Sequence, residues 1–196
     1  MALTLSVCVL SSASTTFGMF VRHPLISLAS LLFMLPSMIV LICSKNARES
    51  VPLNYILLTI FTLGETIVVA QLTALLEVTS VLISILALVL ICGTLFVSAL
   101  FTKISATLFR NLIIGVVVAS VMQLVLFFVM LIIGTNYAEV CLYAAGGMLV
   151  VGFYILIDLV QIMTPSVISY DDYILGAMML YVDIIRMFIY ILMILG

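Results

Sequence analysis

Apolar and polar positions do not alternate along this chain; they fall into long apolar blocks divided by short polar breaks. A barrel wall needs alternation, whereas an apolar stretch of roughly 20 residues is what a helix needs to cross a bilayer. The blocks predict helices over Ala2 to Phe20, Leu25 to Cys43, Tyr55 to Leu76, Val78 to Phe101, Leu112 to Gly134, Val140 to Met163 and Ile174 to Leu195. Arg22-His23-Pro24 separates the first two, and the clearest break runs from Ser44 to Ser50. Pro36 lies inside the second block, where a membrane helix tolerates a kink. The first block has no basic leading region and no evident small-residue cleavage site, so it reads as a retained helix rather than a signal peptide. The expected architecture is all-α: a polytopic membrane protein forming a single domain over residues 1–196, a bundle of seven transmembrane helices.

Composition narrows the function. Of 196 residues, 67% are hydrophobic and 7% charged, with a mean hydropathy of +1.54. Soluble domains run roughly 45–50% apolar and about 25% charged. Six basic and eight acidic side chains cannot cover the surface of a water-soluble fold of this size. A soluble enzyme, a secreted domain and a nucleic-acid binder are therefore excluded, and the lipid bilayer is the first partner. The net charge of −2 says nothing further. Cys8, Cys43, Cys92 and Cys141 fall in or beside apolar blocks without CxxC spacing, which reads as small hydrophobes rather than zinc or redox chemistry. The 12 methionines are dispersed through the helices as packing residues, and Tyr55, Tyr137, Tyr170 and Tyr173 supply an interfacial belt in a chain without Trp.

Basic residues set the expected orientation. Lys45, Arg48, Lys103 and Arg110 follow the second and fourth blocks, while the loops after the first, third and fifth hold Arg22, Glu77 and Glu139. The positive loops belong in the cytosol, which places the N-terminus there and the C-terminus on the far side. His23, before a proline at a membrane edge, reads as interfacial, and Asp171 and Asp172 read as caps of the seventh helix.

Four charged residues lie inside the blocks: Glu65, Asp158, Asp183 and Arg186. A charge at mid-membrane costs roughly 2.5–3.5 kcal/mol on insertion scales, so such residues point to function. The sixth and seventh helices are antiparallel neighbours joined by a short turn, and a rise of 1.5 Å per residue sets Asp158 and Asp183 at similar depth, roughly 8–15 Å in. Two facing carboxylates in a low dielectric share one proton and titrate as a unit, and their oxygens suit a hard cation such as calcium. Together these properties describe a proton-sensitive cation gate; the plainer reading is a hydrogen bond that fixes helix packing. Arg186, three residues after Asp183 on the same face, is either a local ion pair or a lock that competes with a cation for Asp183. Glu65, near Thr62 and Thr66, is either a polar step on an ion path or a hydrogen-bonded buried carboxyl.

These residues resemble those of the Bax inhibitor family, also called transmembrane Bax inhibitor motif or Lifeguard proteins. Pro52-Leu53-Asn54-Tyr55-Ile56-Leu57-Leu58 with Phe61-Thr62-Leu63-Gly64-Glu65 is similar to the family's third-helix pattern. Tyr173 to Gly196, centred on Leu180-Tyr181-Val182-Asp183-Ile184-Ile185, is similar to its last helix. The resemblance implies a seven-helix calcium-leak fold in the endoplasmic reticulum, Golgi or another cell membrane, with calcium as the permeating ion and no cofactor. It implies suppression of cell death, with Bcl-2-type or other membrane proteins as candidate partners, and a pH-sensing gate at Asp158 and Asp183. The chain is identified as a divergent member with a short N-terminus. Met1 starts almost inside the first helix, where the family has a cytosolic segment bearing an Arg, Tyr and Gln pattern. Leu159-Val160-Gln161 follows Asp158 in place of the family's Thr-Gln, and Arg186 stands where the family has Asn.

Catalysis is not expected. An intramembrane aspartyl protease needs Gly-x-Gly-Asp, and Leu180-Tyr181-Val182 precedes Asp183; the rhomboid Gly-x-Ser-Gly is absent as well. Receptor-type basic and proline signatures are also lacking. The expectation is a pH-sensitive calcium leak that modulates intracellular calcium and cell death. A proton-coupled transporter and a non-conducting membrane interaction protein are the alternatives.

Overall fold

The computed structural model describes residues 1–101, 106–133, 136–163 and 173–196. Regular structure among them is helical throughout: α1 (Ala2–Ala13), α2 (Thr15–Val21), α3 (Pro24–Cys43), α4 (Lys45–Glu49), α5 (Leu53–Thr73), α6 (Val78–Phe101), α7 (Ala106–Ile133), α8 (Tyr137–Met163) and α9 (Tyr173–Leu195). In hydrocarbon the backbone must satisfy its own hydrogen bonds, and these sequences do so as helices. α3, α5, α6, α7, α8 and α9 are each long and apolar enough to cross a membrane. The turn from Thr164 to Asp172, with the expected caps Asp171 and Asp172, lies outside the described residues, as do Lys103 and Tyr170.

The first block departs from expectation. It is not one straight helix: α1 and α2 meet at Ser14 with a bend of 115°, and the pair makes a seventh span only if taken together. Ser14 adopts an extended conformation and its hydroxyl accepts the Phe17 N–H at 3.4 Å, an N-cap that restarts the helix in a new direction.

Polar residues at the other ends also act on the backbone. His23 accepts the Leu25 N–H through Nδ1 and so caps α3, whose first residue is Pro24. Arg48 is buried rather than lying free in its loop. Its Nη1 donates to the carbonyls of Leu41 and Ile42, both at 2.9 Å, in the last turn of α3, where helix carbonyls have no partner of their own. Asn54 Nδ2 donates to the Arg48 carbonyl at 2.9 Å, which fixes the corner between α4 and α5. At the opposite end of the bundle the Tyr137 hydroxyl donates to the Ile194 carbonyl at 2.6 Å and ties the start of α8 to the end of α9.

α9 is the most buried of the spanning helices and packs on α5, α6 and α8, while α3 rests on α5 and α7 on α8. The core gathers Phe61 from α5, Val81 and Leu88 from α6, Ile155 from α8, and Met178, Ile185 and Phe188 from α9. Tyr181 meets Phe61 edge to face, with ring centroids 6.1 Å apart. Cys8 joins this core, and all four cysteines are unpaired. Met34, Met38, Met148, Met178 and Met187 fill it, as their dispersal in the sequence predicts.

Helices in lipid associate by close packing, and small residues let them approach. At Gly64 an added Cβ would come within 2.7 Å of Met34 Cβ and 3.1 Å of the Ser30 carbonyl oxygen, so α3 and α5 touch there through a backbone without a side chain. Gly64→Leu should therefore destabilise the bundle by about 1–3 kcal/mol, the usual range for overpacking. A fall in the thermal midpoint of the detergent-solubilised protein, followed by size exclusion, checks this; an unchanged midpoint refutes the tight α3–α5 contact.

Candidate functional site

One glycine marks a close approach of α8 and α9. The Tyr190 ring lies directly on Gly147, where any side chain would collide with it, and Met187 Cε lies 3.6 Å from the position of an added Cβ on Gly152. The resulting close interface carries Asp158 and Asp183. Both are buried, and their carboxyl groups are hydrogen-bond partners of one another. Two carboxyls in such contact need a proton between them, because adjacent negative charges in a low dielectric repel strongly.

Arg186 lies beside the pair. Its Nη1 is 3.6 Å from Asp183 Oδ1, and the two side chains differ sharply in setting: 58% exposed for Arg186 and 9% for Asp183. The local ion pair predicted from the i,i+3 spacing is thus present, with its acid inside the bundle and its base at the edge. Glu65 is half-buried on α5 and within electrostatic range of Arg186. All four intramembrane charges therefore belong to one cluster spread over α5, α8 and α9.

The threonines near Glu65 in sequence do not form its setting as the sequence suggested. The Thr62 hydroxyl donates to the Thr59 carbonyl, and Thr66 turns toward α1. There Thr4 Oγ1 lies 3.1 Å from Thr66 Oγ1 and 3.0 Å from the Tyr181 hydroxyl, a buried triad joining α1, α5 and α9 two residues from Asp183. One heptad further along both helices, Ser11 Oγ lies 2.8 Å from Thr73 Oγ1. The equal offset of the two pairs shows α1 and α5 running parallel. This polar seam leads from the depth of the aspartates toward the α2 end of α1. None of its members was singled out from the sequence as functional; the only signal was the matched spacing of Thr4 with Ser11 and Thr66 with Thr73.

Calcium takes 6–8 oxygen ligands, and among the described residues no group of three or more His, Cys, Asp or Glu side chains converges.

The fold and this cluster define the class: a multi-pass helical membrane protein with a buried acidic pair between its last two helices. The family profile described as Inhibitor of apoptosis-promoting Bax1 matches residues 1–196. The chain belongs to this Bax inhibitor family. Among similar proteins are human protein lifeguard 3, 27% identical over 165 residues, and its mouse counterpart, 24% identical over 197 residues. The matches cover 81% and 99% of this chain but 51% and 64% of the relatives, so the chain spans roughly half to two thirds of their length. No solved structure matches the chain.

The triad gives a prediction. Tyr181 is a hydrogen-bond partner of Thr66 as well as of Thr4, so Thr4→Val, Tyr181→Phe and Thr66→Val should each destabilise, at about 0.5–1.5 kcal/mol per hydrogen bond lost. In the Thr4→Val background, Tyr181→Phe should cost less than it does alone, because only its contact with Thr66 remains to be lost. Unfolding in graded SDS measures this cycle, and fully additive costs would show that Thr4 and Tyr181 are not coupled.

Proposed function

We propose that this chain is a pH-sensitive calcium leak whose gate is the Asp158–Asp183 pair. The observation that carries the reading is the direct contact of two buried carboxyls at the interface of two spanning helices. With one proton between them the carboxyls bond to each other and hold α8 against α9. That hold is present at low pH and is lost as pH rises through the pair's titration, because the deprotonated carboxylates repel. Separation then exposes oxygens to a hard cation, which they suit.

Arg186 acts as a lock on this gate. Its guanidinium neutralises Asp183 from the same helix and competes with a cation for that carboxylate. The family's description ties it to inhibition of cell death, and in this reading the leak serves that role by lowering the calcium held in an endomembrane store such as the endoplasmic reticulum or Golgi. Bcl-2-type or other membrane proteins are the partners this role would involve.

Reconstitution of the purified chain in calcium-dye liposomes tests the gate. Calcium flux should rise with pH, and Asp158→Asn and Asp183→Asn should each flatten the pH dependence. If both variants keep the wild-type flux and profile, the gate lies elsewhere.

Arg186→Asn separates lock from structural ion pair in the same liposomes. The lock requires a higher flux than wild type, most clearly at the pH where the wild type is nearly closed. An equal or lower flux rejects it.

A further inference from the structure

A cavity of about 310 Å³ opens between α7, α8 and α9. α7 and α9 form its walls and α8 its floor, since α7 packs on α8 and makes no substantial contact with α9. Its lining is unusual for this bundle. Ser120 and Gln123 come from α7, Tyr143 and Tyr154 from α8, and Arg186 and Tyr190 from α9. Two other cavities of about 330 Å³ are lined almost wholly by aliphatic and aromatic side chains, such as Ile91, Leu95 and Phe153 in one and Leu112, Val116 and Ala119 in the other. Those suit acyl chains alone.

The polar groups of the first cavity are ordered by one another. Gln123 Nε2 donates to the Tyr143 carbonyl at 2.8 Å, Ser120 Oγ lies 3.0 Å from the Tyr154 hydroxyl, and the Tyr143 and Tyr190 rings meet edge to face at 6.0 Å. Arg186 is different. A guanidinium has five N–H donors, and among the described residues the ion pair of Arg186 is a 3.6 Å contact to a carboxylate that also serves Asp158. More than half of the Arg186 side chain is exposed, and the residue lines the cavity. Its Cα lies about 14 Å along α9 from the Leu195 end, counted at 1.5 Å per residue, which is deep within the apolar span. A half-exposed guanidinium at that depth is stabilised by an anionic or strongly polar partner beyond Asp183. The approach to the cavity is apolar, with Val117, Val121, Leu124 and Phe128 of α7 exposed on the bundle surface. A partner arriving that way must carry an acyl chain.

We propose that this cleft binds a single-chain amphiphile through its oxyanion head, a carboxylate or phosphate, held by the Arg186 guanidinium with the acyl chain leaving along α7. Guanidinium and oxyanion match in charge and in fork geometry. The site shares the Arg186 guanidinium with Asp183, yet binding there is read by labelling alone and does not depend on whether the chain conducts.

The test uses the full chain in neutral-detergent micelles and a palmitate analogue bearing a diazirine in its chain. Photolabelling should fall on peptides of α7, α8 and α9 that line the cleft. Unlabelled oleate or lysophosphatidate should compete, and whichever is stronger identifies the head as carboxylate or phosphate. Oleyl alcohol at the same concentration should not compete. Arg186→Met should reduce labelling by about tenfold, the scale of one lost charge-assisted contact, while Arg186→Lys keeps most of it. Because the competitor series is run on the unaltered chain, it decides the matter even if a variant folds poorly. Equal competition by oleyl alcohol would reduce the cleft to an apolar groove and overturn the proposal. Competition by acetate or inorganic phosphate at the concentration at which oleate competes would make it a free-ion site and overturn the amphiphile.

Discussion

Hydrocarbon offers no hydrogen bonds, so each polar group in the spans of this protein must find its partner within the bundle. That constraint orders most of what is observed. It draws Asp158 against Asp183 and Arg186 against Asp183, and it folds the Arg48 guanidinium back onto the end of α3. It also turns the hydroxyls of Thr4, Thr66 and Tyr181 toward one another. Apolar packing alone would leave many rotations of these helices nearly equivalent, because their mean character is apolar on every side. The polar pairs select among them.

The spans were legible because length and apolarity decide them: α3, α6 and α9 begin and end within a residue of the predicted blocks. The aspartate pair was legible because antiparallel neighbours joined by a short turn equalise depth, and Arg186 because i,i+3 spacing is a local rule. The bend at Ser14 was hidden, since Ser-Thr-Thr inside an apolar block reads equally as span and as cap until the neighbours that accept a turn are known. The hydroxyl triad was hidden for a similar reason. Threonine in a helix can satisfy itself on a carbonyl of its own turn, as Thr66 does on Thr62 at 2.6 Å, so its sequence context carries no requirement for a partner across the bundle. Arg48 read from the sequence as a basic loop residue, whereas its capping of Leu41 and Ile42 depends on the fold of α4.

Arg186 is where the local and the global readings meet. From sequence it is a counter-charge to Asp183, and in space it also lines the cleft between α7 and α9. Both roles draw on the same guanidinium, so an anion in the cleft and the carboxylate of Asp183 compete for it.

The two hydroxyl pairs between α1 and α5 have a mechanical consequence. Thr4 with Thr66 and Ser11 with Thr73 sit one heptad apart on both helices, like two pins through two plates. One pin allows rotation, whereas two forbid both rotation and sliding. A shift of a single heptad would rejoin one pair and leave the other two hydroxyls facing apolar neighbours. α1 and α5 therefore behave as one rigid stave, and the compliance of the bundle resides on the opposite flank, where α7 leans on α8 alone among its substantial neighbours.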